Sequence, residues 1–209
     1  MKTEQIKEKY IEFVLENGTQ PPSIFAFCKK LKIKEKDFYE HFSSFIMLEN
    51  AIWLSFFEKT ISIIENDAAY PEYSVREKIL AFYYTLIEVL KENRSYVLKN
   101  FEHLPQPIWK NMQAFTELRI AYQQWIQRLM MEGSESREVE NRPYINQHYP
   151  KVFWGQMLYL IDFWVKDTSK GFEKTDTAIE KIVNTSFDLL GKSPLDSMLD
   201  LGKFLFQNR

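Results

Sequence analysis

The sequence predicts an all-α protein with a small N-terminal helical domain and a larger C-terminal one. Apolar residues recur at helical spacing along most of the chain. Only 6 Gly and 8 Pro interrupt its 209 residues, which favours long helices over many short strands. Because 45% of the residues are hydrophobic, a substantial core can be buried. We expect the domains to cover residues 1–47 and 48–209.

Three short helices are predicted in the first 45 residues. The apolar face of the first consists of Ile6, Tyr10, Phe13 and Val14. Gly18 can take the left-handed conformation that ends this helix. Pro21-Pro22 then excludes helix, and Ser23 is a typical N-cap for the second helix. The apolar face of the second helix carries Ile24, Phe27, Cys28 and Leu31. A turn at residues 32–34 leads to the third helix, which presents Phe38 and Phe42.

Longer helices are predicted for the rest of the chain. A fourth helix, capped by Ser43-Ser44 and running to about Glu65, has an apolar face with Met47, Leu48, Ile52 and Phe56. The further elements are a loop at 66–74, helices at about 75–91, 95–102, 108–131, 150–166 and 173–190, a connection kinked at Pro105 and Pro107, a mobile surface loop at 132–148, a turn at 167–171, and a short final helix from Pro194 through Phe206.

Charge, cysteine content and hydropathy exclude several classes of protein. A net charge of −2 gives no global attraction to nucleic acid or to anionic membranes. Cys28 is the sole cysteine, so an intrachain disulfide and a Cys-rich metal site are excluded. The charged N-terminus lacks the apolar core of a signal peptide, and no stretch approaches the roughly 20 apolar residues of a membrane span. We therefore expect a cytoplasmic protein.

The spacing of the first three helices is that of a helix-turn-helix. The residues that carry a family resemblance are Phe13, Asn17-Gly18, Ser23-Ile24, Phe27-Cys28, Ile33 and the pentad Phe38-Tyr39-Glu40-His41-Phe42. Over residues 6–53 the sequence resembles the TetR family of bacterial regulators, whose leucine-tyrosine-x-histidine-phenylalanine signature is similar to this pentad. The resemblance implies a DNA-binding domain followed by a helical domain that binds a small ligand and forms a homodimer.

The resemblance also implies roles for single residues. Ser23 and Tyr39 would donate hydrogen bonds to phosphates, and His41 would approach the DNA backbone. Lys34, Lys36 and Asp37 would lie at the groove-facing start of the third helix. A local basic strip suited to counterion release consists of Lys29, Lys30, Lys32, Lys34 and Lys36. The same strip is equally consistent with a solvated face, and Tyr39 with a packing role.

The chain departs from the family pattern in several places. Leu31 and Lys32 stand where the family usually has a small residue and glycine, and Phe45 stands where it usually has a phosphate-contacting lysine. The third helix carries three acidic residues, Glu35, Asp37 and Glu40. Residues 1–50 contain eight lysines and eight acids, and no arginine precedes Arg76 to read guanine. The charges of the predicted helix-turn-helix are therefore only moderately suited to binding DNA phosphates.

The C-terminal domain is expected to provide both an interface and a ligand site. By the resemblance, dimerisation would use the last two long helices, whose apolar residues are Val152, Phe153, Met157, Leu160, Ile161, Trp164, Ile179, Ile182, Val183, Ser186, Phe187 and Leu190. A cavity for a small apolar effector would be lined by Phe82, Tyr83, Leu86, Phe101, Trp109, Met112, Phe115, Tyr122 and Trp125. For any single one of these, simple filling of the core is the favoured alternative.

Residues 163–175 more loosely resemble the TetR-like lipid-binding proteins of ubiquinone biosynthesis. The histidines at 41, 103 and 148 lie far apart, and the sequence has neither metal-ligand spacing nor a phosphate-binding glycine motif. We therefore expect no catalysis, no metal and no cofactor. Two hypotheses follow: a homodimeric regulator that binds a palindromic operator in double-stranded DNA and responds to an apolar ligand, or a lipid- or small-molecule-binding protein with a degenerate helix-turn-helix.

Overall fold

The computed structural model describes residues 2–102, 115–142, 145–191, 201 and 204–205, and within these ranges it contains helices and turns but no strand. The all-α prediction is confirmed. The helices are α1 (Thr3–Asn17), α2 (Ile24–Leu31), α3 (Glu35–Tyr39), α4 (Phe45–Glu65), α5 (Val75–Lys91), α6 (Arg94–Glu102), α7 (Thr116–Glu135), α8 (Tyr149–Lys166) and α9 (Glu173–Leu190). The chain forms two compact units, one of Met1–Ser62 and Leu86–Tyr122, the other of Ile63–Thr85 and Gln123–Arg209.

The end of α1 and the start of α2 have the local causes that the sequence predicts. Gly18 adopts a left-handed conformation, with φ of 71°, and its N–H donates to the carbonyl of Val14. The Ser23 hydroxyl accepts a hydrogen bond from the N–H of Ala26 at 3.1 Å, which makes Ser23 the N-cap of α2.

An aromatic cluster holds α1, α2, α3 and the start of α4 together. The ring of Phe27 is its centre, fully buried and 5.9 Å from Tyr10, 6.3 Å from Phe38 and 5.8 Å from Phe45, in edge-to-face arrangements. Phe42 is also buried and lies 6.0 Å from Phe38. Phe38 and Phe42 of the pentad therefore belong to the core of the N-terminal unit.

In the second unit, buried polar groups fix both ends of α9. The Asp167 carboxylate accepts hydrogen bonds from the N–H and hydroxyl of Thr175, at 3.0 and 2.7 Å, and from those of Ser169. At the other end, the Arg142 guanidinium donates to the carbonyls of Leu189, Leu190 and Gly191 at 2.8–3.1 Å. These contacts pair backbone groups that a helix end otherwise leaves unsatisfied.

The prediction of a surface loop over residues 132–148 is wrong for part of that segment. Helix α7 continues to Glu135 and includes Gly133, where a Cβ would collide with the side chain of Val139. Val139 and Arg142 are buried, and the Glu138 carboxylate accepts the N–H groups of Val75 and Arg76, both at 2.8 Å.

The structure differs from the sequence expectation at the end of the third helix and at Met47. The third helix ends at Tyr39, so the last three residues of the pentad lie beyond it. Met47 is exposed, although the sequence assigned it to the apolar face of the fourth helix. The connection at Pro105 and Pro107, the start of the helix predicted from Ile108 and nearly all of the final helix lie outside the described residues.

Candidate functional site

The turn between α2 and α3 is a Schellman motif. Lys32 adopts the left-handed conformation, with φ of 57° and ψ of 37°. Its N–H donates to the carbonyl of Lys29 at 3.2 Å, and the N–H of Ile33 donates to that of Cys28 at 3.1 Å. Lys32 therefore occupies a backbone conformation that favours glycine, at the position where the resemblance expects glycine. The helix-turn-helix backbone thus forms with lysine instead of glycine at this position, and the left-handed conformation of Lys32 is locally strained.

The start of α3 presents basic and acidic residues together. Lys34 and Lys36 are exposed, and so is Glu35 between them. The Asp37 carboxylate accepts the N–H of Lys34 at 3.0 Å, so it caps the N-terminus of α3. Asp37 thus has a structural role in the helix whether or not it meets a ligand.

The basic strip is only partly available to an anionic partner. Lys30 pairs with Glu16 at 2.6 Å, and its ammonium group lies 4.6 Å from the centre of the Phe13 ring. The other four lysines of the strip, Lys29, Lys32, Lys34 and Lys36, are exposed and have no ion pair among the described residues. Phe45, at the position of the family's lysine, is held in the aromatic cluster by contacts with Tyr10, Phe27 and Phe38.

Tyr39 and His41 lie close to this surface by different means. The Tyr39 ring contacts Phe38 at 5.8 Å and is 53% exposed, so its hydroxyl is accessible while its ring packs. The His41 ring nitrogen Nδ1 lies 2.9 Å from the Thr3 hydroxyl, which ties the end of the α3 segment to the start of α1. The six predicted DNA-contacting residues, from Ser23 to His41, therefore all lie in α2, in α3 or directly beside these helices.

The predicted effector residues that the structure describes are buried and divide between the two units. In the N-terminal unit, Phe115 lies 4.7 Å from Trp53 and 6.3 Å from Phe101. Leu86 and Tyr122 belong to the same unit, whereas Phe82, Tyr83 and Trp125 belong to the second. In that unit the rings of Phe82 and Trp125 are 4.6 Å apart. Trp109 and Met112 lie outside the described residues.

Sequence reasoning did not single out Trp53, yet it has an unusual environment. Its side chain is buried against Phe56, Phe101 and Phe115, and its indole N–H has no acceptor among the described residues. A buried donor without a partner is costly and rare in folded proteins. The sequence shows only a tryptophan on the apolar face of α4. That its indole N–H lacks an acceptor is evident only from the packed structure.

The second unit contains two cavities lined by other residues. One, of about 300 Å³, is formed mainly by apolar side chains of α8 and α9, including Tyr149, Val152, Phe153 and Leu189. Another, of about 440 Å³, lies between α7 and the start of α8 and includes Met130, Met131 and Asn146. Both volumes are in the range of small-molecule sites.

Of the interface residues named from the sequence, the face that α8 and α9 leave exposed includes only Val152, Ile182 and Ser186. Most of the residues expected at the dimer interface, such as Met157, Trp164 and Val183, are buried within the unit itself. Val152 is 61% exposed and Tyr159 is 54% exposed. The outward face consists of Val152, Gln156, Tyr159 and Phe163 on α8 and Ile182, Ser186 and Leu189 on α9, all of them exposed or half-buried. The Ser186 hydroxyl donates to the side-chain oxygen of Gln156 at 3.1 Å, which joins the α8 and α9 parts of this face.

The sequence profile described as "Tetracyclin repressor-like, C-terminal domain" matches residues 78–205, which is more than half of the chain. The chain belongs to the TetR family. A TetR-family transcription regulator from Shewanella sp. PV-4 has a similar fold, with a TM-score of 0.62 at 14% identity over 88% of this chain and 96% of that one. PfmR, a TetR-family transcriptional regulator from Thermus thermophilus, gives 0.53 at 14% identity over 86% and 97%. No curated protein matches this chain in sequence.

Family membership confirms the TetR resemblance drawn from the helix-turn-helix. Cys28 is buried; burial raises the pKa of its thiol, and Glu35 and Asp37 raise it further. Among the described residues, no three His, Cys, Asp or Glu side chains are grouped as metal ligands would be. Within the same ranges, no helix of this TetR-family chain is long and apolar enough to cross a membrane.

Proposed function

We propose that the chain is a dimeric DNA-binding transcriptional regulator that responds to a small apolar ligand. The observation that carries the proposal is the α2–turn–α3 unit, with its Schellman turn, its capped third helix and four exposed lysines, in a chain of the TetR family. A dimer would place two α3 helices in successive major grooves of a palindromic operator, roughly 34 Å apart.

DNA binding should depend on the lysines at the start of α3. We would measure the affinity for the DNA upstream of the protein's own gene and for a scrambled duplex, over a range of salt. Lys36→Ala should weaken binding and reduce the salt slope by about 0.9 per protomer, because each lysine that neutralises a phosphate releases a counterion. Lys181→Ala, an exposed lysine on α9, is the matched control. Equal affinity for both duplexes at physiological salt would contradict a regulator.

Dimerisation is proposed through the outward face of α8 and α9. Exposed apolar residues lie side by side on α8 and α9, which suits an isologous interface. On the same face, the buried side-chain nitrogen of Gln156 lacks an acceptor among the described residues. Tyr159→Glu should convert the dimer to a monomer in light scattering after size exclusion, because it would bury a charge at the centre of the face. Ile63→Glu, at an exposed apolar residue of α4, should leave the mass unchanged.

An effector site is proposed around Trp53, Phe101 and Phe115. The unpaired indole N–H of Trp53 supplies one polar group in an otherwise aromatic environment, as small-molecule sites commonly do. Native mass spectrometry of the purified protein would detect a retained ligand. Because Trp53→Phe removes that donor and keeps the ring, it should weaken retention, whereas Phe25→Leu on the surface of α2 should not.

One set of observations favours a second function, binding of an apolar molecule without regulation of DNA. Glu35 and Glu40 are exposed on the α3 segment, and Phe45 is packed where a lysine would serve DNA. The cavity of about 300 Å³ on α8 and α9 offers an apolar site. A retained lipid together with salt-independent, weak DNA binding would favour this function over the regulator.

A further inference from the structure

A small polar cavity of about 180 Å³ lies in the N-terminal unit, lined by residues of α1, α4 and α6 and of the loop after α1. Its volume is several times the roughly 30 Å³ share of one water molecule, so it can hold a small organic ion. The residues that give it chemical character are Tyr10, Gln20, Glu49, Tyr96, Lys99 and Asn100. It contains none of the residues assigned above to DNA or to the apolar effector.

Glu49 brings a negative charge to this cavity, whose lining also includes Lys99. Its half-buried carboxylate accepts one hydrogen bond, from the hydroxyl of Tyr10 at 2.6 Å. Burial raises the pKa of Glu49, and only the hydrogen bond from Tyr10 lowers it. Among the described residues, no lysine or arginine forms an ion pair with Glu49. A desolvated carboxylate of this kind is stabilised by any cation that can enter.

Tyr96 brings an unpaired hydroxyl. The side chain is 0% exposed, and the hydroxyl has no hydrogen-bond partner among the described residues. Burial raises the pKa of Tyr96, the charge of Glu49 raises it further and the nearby Asn100 amide lowers it less, so the phenol stays protonated. The amide nitrogen of Asn100 donates to the backbone carbonyl of Tyr96 at 2.8 Å. The phenol therefore has an O–H donor and an acceptor oxygen that are both buried and unpaired among the described residues, which is destabilising.

We propose that this cavity binds a small primary ammonium ion, with the Glu49 carboxylate compensating its charge and the Tyr96 hydroxyl oxygen accepting one of its N–H groups. An ammonium group has three donors and a positive charge, which matches an acceptor-only carboxylate beside an unpaired oxygen. An anion would be repelled by Glu49, and a neutral alcohol would leave its charge uncompensated. Bound there, the ion would join α1 of the helix-turn-helix to α4 and α6.

The test uses the full-length protein labelled with ¹⁵N and titrated with methylammonium chloride, with sodium chloride keeping the ionic strength constant. We expect saturable shifts of backbone amides around Tyr10, Glu49 and Tyr96 at concentrations up to about 50 mM. Tetramethylammonium, which has the charge but no N–H donor, should give no saturable shifts at these residues. No saturation with methylammonium, or equal binding of both ions, would overturn the proposal.

Three variants separate the two parts of the site. Glu49→Gln keeps the shape and removes the charge, so the affinity for methylammonium should fall at least about tenfold. Tyr96→Phe should weaken binding a few-fold, and Glu58→Gln, an exposed glutamate on the same helix, should leave it unchanged. Wild-type affinity in Glu49→Gln would contradict the proposal. If Glu49→Gln fails to fold, an unchanged affinity in Tyr96→Phe would contradict it instead.

Discussion

Helices α3 and α9 are held in place by opposite means. Helix α3 has five residues and is anchored by the ring of Phe38 against Phe27 and Phe45, while Asp37, which caps its N-terminus, is half-buried. Helix α9 has eighteen residues and is fixed at both ends by the buried charged groups of Asp167 and Arg142. Aromatic packing is insensitive to pH, whereas buried charged groups need particular partners and a particular protonation state.

Loss of the aromatic anchor should have the largest effect on stability. Phe27→Ala should lower the free energy of unfolding by about 3–5 kcal/mol, because it removes a fully buried ring and leaves a cavity. Phe25→Ala, two residues away on α2 and 61% exposed, should change it by less than about 0.5 kcal/mol. Chemical denaturation measures both. Equal effects of the two substitutions would show that the cluster does not anchor the helix-turn-helix.

Removing the charge at the C-terminus of α9 should rank second. Arg142→Met keeps much of the buried stem but leaves the carbonyls of Leu189, Leu190 and Gly191 without this donor, at a cost of about 3 kcal/mol. Arg128→Met, at an exposed residue of α7, is the control in the same denaturation series. A loss below about 1 kcal/mol would mean that water replaces the guanidinium without penalty.

Asp167 should make stability depend on pH. Burial alone would raise the pKa of Asp167, but the hydrogen bonds donated by Ser169 and Thr175 outweigh it and lower the pKa from 3.8 to about 2. A carboxyl group with a lowered pKa stabilises the fold above its ordinary pKa, and the benefit is lost as the pH falls from about 4 to about 2.

The variant Asp167→Asn should therefore lose about 2 kcal/mol of unfolding free energy near neutral pH. Its difference from the natural protein should shrink below about pH 4. A constant difference between pH 3 and pH 7 would indicate that shape, and not the charge of Asp167, stabilises the start of α9.

The smallest effect is expected at the strained turn. Lys32→Gly should raise the free energy of unfolding by about 0.5–1 kcal/mol, because it relieves a left-handed conformation at φ of 57°. Lys29→Gly, within α2, should instead lower it by about 1 kcal/mol. A lower melting temperature for Lys32→Gly would show that the lysine side chain makes a stabilising contact in this turn.

Local signals explain why much of the fold could be predicted from the sequence. Gly18 and Ser23 act through their own backbone neighbourhood, so the end of α1 and the start of α2 follow from residue type alone. The limits of α5 and α9 were predicted for the same reason, from an apolar period bounded by polar turns.

Distant contacts explain what could not be predicted. Residues 132–135 were predicted to lie in a surface loop, yet they belong to α7, and Gly133 there packs against the side chain of Val139. The apolar residues of α8 looked like an interface, yet Met157 and Trp164 are used by the core of their own unit. The unpaired groups of Trp53 and Tyr96 carry no sequence signature, because a missing partner is a property of the packed structure.

The most direct test of the central claim, that α3 faces DNA, is the affinity of the double variant Glu35→Gln, Glu40→Gln for the upstream duplex. Both glutamates are exposed on the α3 segment, so removing their repulsion of phosphates should tighten binding by about threefold to tenfold at low salt. Glu173→Gln, Glu180→Gln on α9 is the matched control and should change nothing. Unchanged or weaker binding by the α3 variant would contradict the account.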